Sequence, residues 1–311
     1  MGAPNTQETR YVRRRRQKRR RLFWLLILIA ACAVGCRFIK DGRFAPRPVP
    51  APEQNVQADF SPEWEALEAQ LGSASGNFVV SDADRAELED VAARYPAYAE
   101  QICLFLAHID VYSQTAVNNV LVSPEKIDFV LVEPFTAEPE GEQAAVTAKK
   151  GEVPFLLQYD ARWGFHPYGS SCIGYTGCGP TCLSMAVMGL TGDAAVTPDV
   201  VSDFAEANGY YVPGSGTSWS LFTDGAANFG LHGWTIATDE DTMRDCLQRG
   251  GVLVASMLPG DFTRVGHFIV LTDCGMHGFR VYDPNCVERS QRWWSFDELA
   301  GQIAQLWCLA A

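Results

Sequence analysis

The stretch "SSCIGYTGCGPTCLSMAVMGLTG", residues 170–192, places three cysteines within eleven residues. Its second half is apolar at helical spacing and ends at a glycine, so it predicts a helix that begins near Cys178. Pro180 suits a first helical turn, where no amide hydrogen bond is lost. Exposed amides and the helix dipole stabilise a thiolate at that end. Cys178 is therefore the predicted nucleophile, whereas Cys172 and Cys182 lack its glycine flanks.

The same cysteines have two other interpretations, a zinc site and a structural role. A zinc site would need His166, Cys172, Cys178 and Cys182, but their spacings of five, five and three intervening residues match no paired C-x-x-C arrangement. We therefore expect no metal, and nothing in the sequence calls for a cofactor. Structural roles are predicted for Cys172 and Cys182, and whether they form a disulfide is left open.

A thiolate nucleophile needs a base and a group that orients the base. "VGHFIVLT" places His267 at the start of a strand-like run, and "VYDPN" places Asp283 sixteen residues later, at the end of the next such run. A hairpin through "CGMHG" would bring these two ends together, and a carboxylate there would fix the imidazole tautomer. Gln158, in "FLLQYDARW", is the candidate donor to an oxyanion. The competing interpretation makes Asp283 only a turn residue before Pro284.

The order of elements around these residues predicts an α+β fold, because helices come first and an antiparallel sheet follows them. "TSW" at 217–219 is a candidate wall of the substrate groove. After the Cys178 helix, further helices are predicted at 197–209, 217–230, 239–251 and 295–307, and strands at 252–258, 267–275 and 279–284.

Taken together, "VPFLLQYDARWG", "GCGPTCLSM", "GHFIVLT" and "VYDPN" resemble the papain-like cysteine peptidases of the double-glycine (bacteriocin-processing-like) group, in its stand-alone, membrane-anchored branch. The resemblance covers residues 152–311. It implies a papain-like fold, with a helix-rich part that carries the nucleophile Cys178 and an antiparallel sheet that carries the general base His267 and its orienter Asp283. Gln158 would be an oxyanion-hole donor, although it stands further ahead of Cys178 than in the transporter-fused members.

The resemblance favours a peptidase that hydrolyses peptide bonds in a peptide or protein substrate. A papain-like triad does not fix the acceptor of the acyl group, so the alternative is a thiol-dependent amidase or acyl transferase, for example on cell-wall peptides. A third alternative is a non-catalytic binding module that keeps the cleft. The sequence gives no indication of the oligomeric state.

The charges are distributed unevenly along the chain. Residues 1–50 hold thirteen of the 25 Lys and Arg but only two of the 37 acidic residues, and the remainder is strongly acidic. An acidic body repels nucleic-acid backbones, so no nucleic-acid partner is expected. The basic stretch "RYVRRRRQKRRR" is followed at once by fifteen uncharged residues, "LFWLLILIAACAVGC". This pattern predicts a membrane segment whose basic flank stays in the cytoplasm.

An uncleaved single-pass anchor is the favoured interpretation, with a lipoprotein modified at Cys36 or a cleaved signal as alternatives. Each places the acidic body outside the cytoplasm. In the helical prefix no chemistry is predicted, and Cys103 is predicted to be buried. The predicted organisation is a basic segment at 1–21, an anchor or signal at 22–39, a proline-rich linker at 40–59, a helical prefix domain at 60–135, a linker at 136–152 and a peptidase domain at 153–311.

Overall fold

A computed structural model describes residues 64–136 and 145–311. The predicted basic segment, membrane anchor and proline-rich linker lie outside these residues. Within the described ranges, no helix combines the length and the apolar character that a membrane span needs. Helices and an antiparallel sheet occur together, which confirms the predicted α+β class.

The segment from 64 to 135 is helical. Ser81 and Ser113 cap two of its helices, because their side chains accept hydrogen bonds from the amides of Asp84 and Ala116. A short 3₁₀ turn, Pro124–Lys126, precedes the last helix. The helices are α1 (Trp64–Ser73), α2 (Asp82–Arg94), α3 (Ala99–Ala107), α4 (Gln114–Val122) and α5 (Ile127–Val132).

The prediction that Cys103 is buried is wrong. Ile102 and Phe105 form the buried side of α3, and Cys103 is exposed. Successive residues of a helix are rotated by about 100°, so only one stripe of this apolar helix can face the core. Leu104 and Leu106 border this stripe and are partly buried against the same core.

In the second segment the longest helix is the one predicted from Cys178. It is buried from Gly179 to Leu190 and ends at Gly192, which has φ 84° in the left-handed region that glycine favours. The predicted helix at 217–230 is instead two 3₁₀ turns, Trp219–Phe222 and Ala226–Phe229. The helices are α6 (Ile173–Thr176), α7 (Cys178–Thr191), α8 (Pro198–Ala207), α9 (Glu240–Gln248), α10 (Val287–Ser290) and α11 (Phe296–Ala300).

The strands of the described chain are β1 (Pro167–Tyr168), β2 (Ser171–Cys172), β3 (Tyr211–Val212), β4 (Gly216–Thr217), β5 (His232–Thr235), β6 (Val252–Met257), β7 (His267–Gly275), β8 (Gly278–Tyr282), β9 (Trp293–Trp294) and β10 (Ile303–Ala310). Six of them form one antiparallel sheet in the order β5-β10-β6-β7-β8-β9, and two short hairpins, β1-β2 and β3-β4, lie apart from it. The three predicted strands are β6, β7 and β8.

The predicted final helix at 295–307 is only half correct. Its capping box, Ser295 with Glu298, is present, but the helix ends at Ala300 and the chain continues as β10. Strand β10 pairs with β5 on one side and with β6 on the other. From Leu306 to Leu309 its side chains alternate between the cores on the two faces of the sheet, so this part is apolar at every position and its period of two is hidden.

The sheet is covered on both faces. On one face Val254 and Val270 pack in the core that contains α7, and on the other Leu253 and Leu271 pack in the core that contains residues of α9. Burial on both faces explains why 252–255 of β6 and 268–271 of β7 are continuously apolar in sequence rather than alternating.

Helices α1 to α5 have their own core, but they also reach into the core beside α7. Phe129 of α5 is buried there. A Cβ on Gly164 or Gly174 would lie 2.9 or 2.1 Å from the Phe129 ring, so both glycines are needed for this ring to fit. The described residues all fall in one compact unit.

Candidate active site

Cys178 is the first residue of α7 and is partly exposed. A Cβ on Gly177 would lie 2.5 Å from Cγ2 of Ile173, and one on Gly179 would lie 2.6 Å from Oγ1 of Thr217. Neither glycine has a positive φ. The glycines that flank Cys178 are therefore explained by close packing of the backbone rather than by an unusual backbone conformation.

The β7–β8 hairpin brings the predicted base and its orienter together. His267 begins β7, and Val270 pairs with Tyr282, so the next residue, Asp283, lies at the His267 end of the hairpin. His267 Nε2 is 2.7 Å from Asp283 Oδ1. The other ring nitrogen, Nδ1, is left for Cys178, whose side chain is hydrogen-bonded to His267.

Asp283 is completely buried, yet its carboxylate has polar partners. Its Oδ2 accepts a hydrogen bond from Arg289 Nε at 2.6 Å, and its Oδ1 also accepts one from the amide of Asn285 at 2.8 Å. Burial alone would raise the pKa of Asp283, but the charges of Arg289 and His267 outweigh it and lower the pKa to about 2. The carboxylate is therefore ionised over the whole physiological range.

The thiol and the imidazole shift each other's pKa. Burial raises the pKa of Cys178, but the hydrogen bond and charge of His267, with the amides of Phe268 and Gly179, bring it below its usual value. Burial lowers the pKa of His267, but Asp283 and Cys178 together raise it to about 9. The thiol thus loses its proton before the imidazolium does, which gives a thiolate–imidazolium pair between the two pKa values.

Gln158 lines the same cleft as Cys178 and His267. Its Nε2 donates to Gly174 O at 2.8 Å, while Ile173 O lies at 3.5 Å. The reverse orientation of the side-chain amide would place Oε1 against two carbonyl oxygens, which cannot donate a hydrogen bond. The orientation with Nε2 facing Gly174 O and Ile173 O is therefore assigned. Nε2 has two hydrogens and makes both of these bonds, but the one to Ile173 O is long and weak, so a ligand in the cleft competes with it for the second hydrogen. Within the described residues, Gln158 Oε1 has no hydrogen-bond partner.

The cleft has a volume of about 930 Å³ and is lined from both halves of the described chain. Thr217 and Trp219 contribute to the wall, as predicted for the "TSW" stretch. The helical segment contributes Tyr112 and Asn119, among other residues. No sequence feature of the prefix predicts that it forms part of this cleft.

The other cysteines are placed differently from Cys178. Cys172 and Cys182 are buried free thiols, so the disulfide left open between them is absent, and burial raises the pKa of both. The disulfide of the described chain joins Cys246 to Cys308. His166 Nε2 lies 2.9 Å from Asp203 Oδ1. The described residues contain no cluster of three or more His, Cys, Asp or Glu suited to a metal ion.

Three polar residues of the site were missed in the sequence. Asn285 belongs to the "VYDPN" motif, so its position beside Asp283 could have been noticed. Arg289 and Lys126 carry no recognisable motif, and only the fold brings them to the site. The one available signal for Lys126 is that it is the lone cation in the apolar stretch 120–132.

No protein-family model matches this chain, and no curated protein sequence matches it. Among solved structures, a crystal structure described as a "putative C39-like peptidase" from Bacillus anthracis aligns with 53% of this chain and 98% of its own, at 15% identity and a TM-score of 0.31. A likeness at that level does not define the function of this chain, which is inferred below from the residues of the cleft.

Proposed function

We propose that this chain is a cysteine peptidase that hydrolyses peptide bonds, with Cys178 as the nucleophile, His267 as the general base and acid, and Asp283 as the residue that orients His267. One observation carries the proposal. A single imidazole is hydrogen-bonded to a buried carboxylate at 2.7 Å and to a thiol at the amino end of a helix, inside a cleft.

The reaction follows from the charges of this arrangement. The Cys178 thiolate attacks the carbonyl carbon of the substrate, and the negative charge that forms on the carbonyl oxygen is stabilised by the N–H of Gln158 Nε2 that otherwise makes the weak bond to Ile173 O. The imidazolium of His267 gives its proton to the leaving amine, which departs as the C–N bond breaks. Neutral His267 then takes a proton from water, the hydroxide attacks the thioester, and the thiolate is released.

Asp283 and Arg289 have supporting roles in this proposal. The Asp283 carboxylate fixes the tautomer and orientation of the imidazole and favours its protonated form. Arg289 binds the second oxygen of the same carboxylate, so the carboxylate cannot rotate away from His267.

The experiment is a comparison of wild type and Cys178→Ala with iodoacetamide labelling and a mixed peptide library. We expect wild type to cleave peptides and to be alkylated at Cys178 at pH 6, where ordinary thiols react slowly. Cys178→Ala should lose at least about 10⁴-fold of the cleavage rate and all of the low-pH labelling. Cys172→Ala, Cys182→Ala and the exposed-thiol control Cys103→Ala should keep both.

An equal loss of cleavage and of labelling in Cys172→Ala, Cys178→Ala and Cys182→Ala would refute a single nucleophile. Products that carry an added amine in place of water would instead identify an acyl transferase. An unreactive Cys178 between pH 5 and 9 would identify a binding module.

We also propose that the catalytic body lies outside the cytoplasm, attached to the membrane by residues 22–39. The basic and apolar pattern of the N-terminal sequence supports this, and so does the disulfide Cys246–Cys308, because such bonds persist mainly in oxidising compartments. External protease added to intact expressing cells should degrade the body and leave a short N-terminal fragment in the membrane fraction. Full protection until the cells are lysed would contradict the proposal.

A further inference from the structure

A lysine from the helical prefix is completely buried next to the candidate active site. Lys126 ends the 3₁₀ turn Pro124–Lys126, and its Nζ donates to Asn119 Oδ1 at 2.6 Å, to Asn285 Oδ1 at 2.8 Å and to Gly174 O. An ammonium has three N–H donors, so all of them are used. Holding a long flexible side chain in this position costs entropy, which these three bonds offset.

Two of these three acceptors belong to the machinery of the cleft. Gly174 O also accepts the hydrogen bond from Gln158 Nε2 at 2.8 Å. Asn285 accepts from Lys126 with its side chain, and its backbone N–H donates to Asp283 Oδ1 at 2.8 Å. One ammonium therefore connects the candidate oxyanion donor Gln158 with the carboxylate that orients the imidazole.

Lys126 Nζ has no carboxylate among its hydrogen-bond partners, but neutral oxygens and aromatic rings stabilise its positive charge. Its three acceptors are neutral amide oxygens. Aromatic faces attract a desolvated ammonium within about 6 Å. Three ring centroids lie between 5.2 and 5.7 Å from Nζ, those of Phe129, Tyr159 and Tyr175.

The charge of Lys126 is coupled to the charges of the site. Burial lowers the pKa of Lys126 to about 7, while the negative charges of Cys178 and Asp283 act in the opposite direction. The coupling is reciprocal, so a protonated Lys126 favours the ionised forms of Cys178 and Asp283.

We propose that Lys126 is a positioning residue of the active site: through Gly174 O and the Asn285 side chain it holds the Gln158 amide and the Asp283 carboxylate in place. This inference rests on the proposed peptidase function. It makes the helical prefix a working part of the enzyme, although no chemistry is predicted for that segment from the sequence.

The first test replaces Lys126 by methionine, which has a similar length and no N–H donor. We expect kcat to fall about 10²-fold, because small misplacements of catalytic groups have effects of that size, while KM changes less than about threefold. The substrate is a fluorogenic peptide chosen from those that wild type cleaves. Lys150→Met, at an exposed lysine, is the matched control and should keep the wild-type kcat.

The second test is a double-mutant cycle between Lys126 and Gln158. A lysine with a merely structural role would show no coupling in kcat between the two positions. If Lys126 acts through Gln158, the loss of kcat caused by Lys126→Gln should be at least about fivefold smaller in a Gln158→Ala background. Lys126→Gln keeps an amide donor, so it also replaces Lys126→Met if circular dichroism shows that the methionine variant does not fold. Equal losses in both backgrounds would overturn the positioning role.

The two proposals fail in different ways. If wild type neither cleaves peptides nor is alkylated at Cys178, the peptidase function fails. If wild type does both and a folded Lys126→Met variant keeps kcat within about threefold, the positioning role fails and the peptidase function stands.

Discussion

Asp283 shows how a single residue depends on its partners. Its carboxylate is fully buried, and one oxygen faces His267 while the other faces Arg289. An uncompensated buried carboxylate would take up a proton, but here two cations keep it ionised. The proton affinity of His267 is in turn set by this carboxylate.

The pH profile should report this dependence. With His267 at a pKa of about 9, kcat/KM of wild type should fall above pH 9, as the imidazolium loses the proton that the leaving amine needs. In Asp283→Asn the negative charge that holds the proton is gone, so the alkaline limb should move down towards pH 6.5, the ordinary imidazole value.

The control for this profile is Asp203→Asn, which removes the carboxylate 2.9 Å from His166. It should leave the alkaline limb where wild type has it. The rate of Cys178 alkylation by iodoacetamide, measured between pH 5 and 10, compares wild type and the two variants without a peptide substrate. An alkaline limb that does not move in Asp283→Asn would show that another group titrates there.

At the scale of elements, three hydrogen bonds join the end of α4 and the turn after it to the loop after β8 and to α10. Ser123 Oγ, just after α4, donates to Asn285 O in the loop after β8 at 2.6 Å, and Arg289 Nη1 of α10 donates to Val122 O at the end of α4 at 2.7 Å. Glu125 also accepts a hydrogen bond from the amide of Val287. The loop that carries Asp283 is therefore held by the helical prefix as well as by the sheet.

The disulfide Cys246–Cys308 joins α9 to β10 across a sequence separation of 62 residues. In the chain-entropy model, closing a loop of that length stabilises the folded state by at most about 4 kcal/mol. We expect the double variant Cys246→Ser/Cys308→Ser to lose up to that amount in urea unfolding. Cys178 alkylation at 25 °C should stay at the wild-type rate, since both cysteines belong to the core on the sheet face opposite α7.

Cys274→Ser is the matched control, because Cys274 lies in β7 as a free, partly buried thiol. Its unfolding free energy should change far less than that of the double variant. If reductant lowers the stability of wild type no more than that of the double variant, the bond contributes nothing to the stability of the fold.

At the scale of the molecule, the prefix and the sheet share their packing. Phe129 of the prefix is buried in the core beside α7, and Tyr175 contacts both that core and the core of the prefix. Arg264, just before His267, pairs with Asp84 at 3.2 Å and with Glu87 at 2.7 Å on α2. These exposed ion pairs contribute about 1 kcal/mol at most, so the shared apolar core is the stronger link.

We expect the described chain to unfold in one transition for this reason. Phe129→Ala, in the shared core, and Phe105→Ala, in the prefix core, should each lose about 3–5 kcal/mol and shift the same single transition. Fluorescence and far-UV circular dichroism in a urea titration measure this. Two separate transitions, with Phe105→Ala moving only one of them, would show that the prefix folds independently.

The sequence by itself determined the α+β class, the helix that starts at Cys178 and the β7–β8 hairpin that brings His267 and Asp283 together. These features are local, because periodicity, caps and a hairpin turn act over a few residues. The tertiary structure alone decided that residues 303–310 become a strand, since only the open edges of β5 and β6 select that conformation. It also decided that Lys126 meets Asn285 and that Arg289 meets Val122, because contacts between residues over 150 positions apart leave no mark in local sequence.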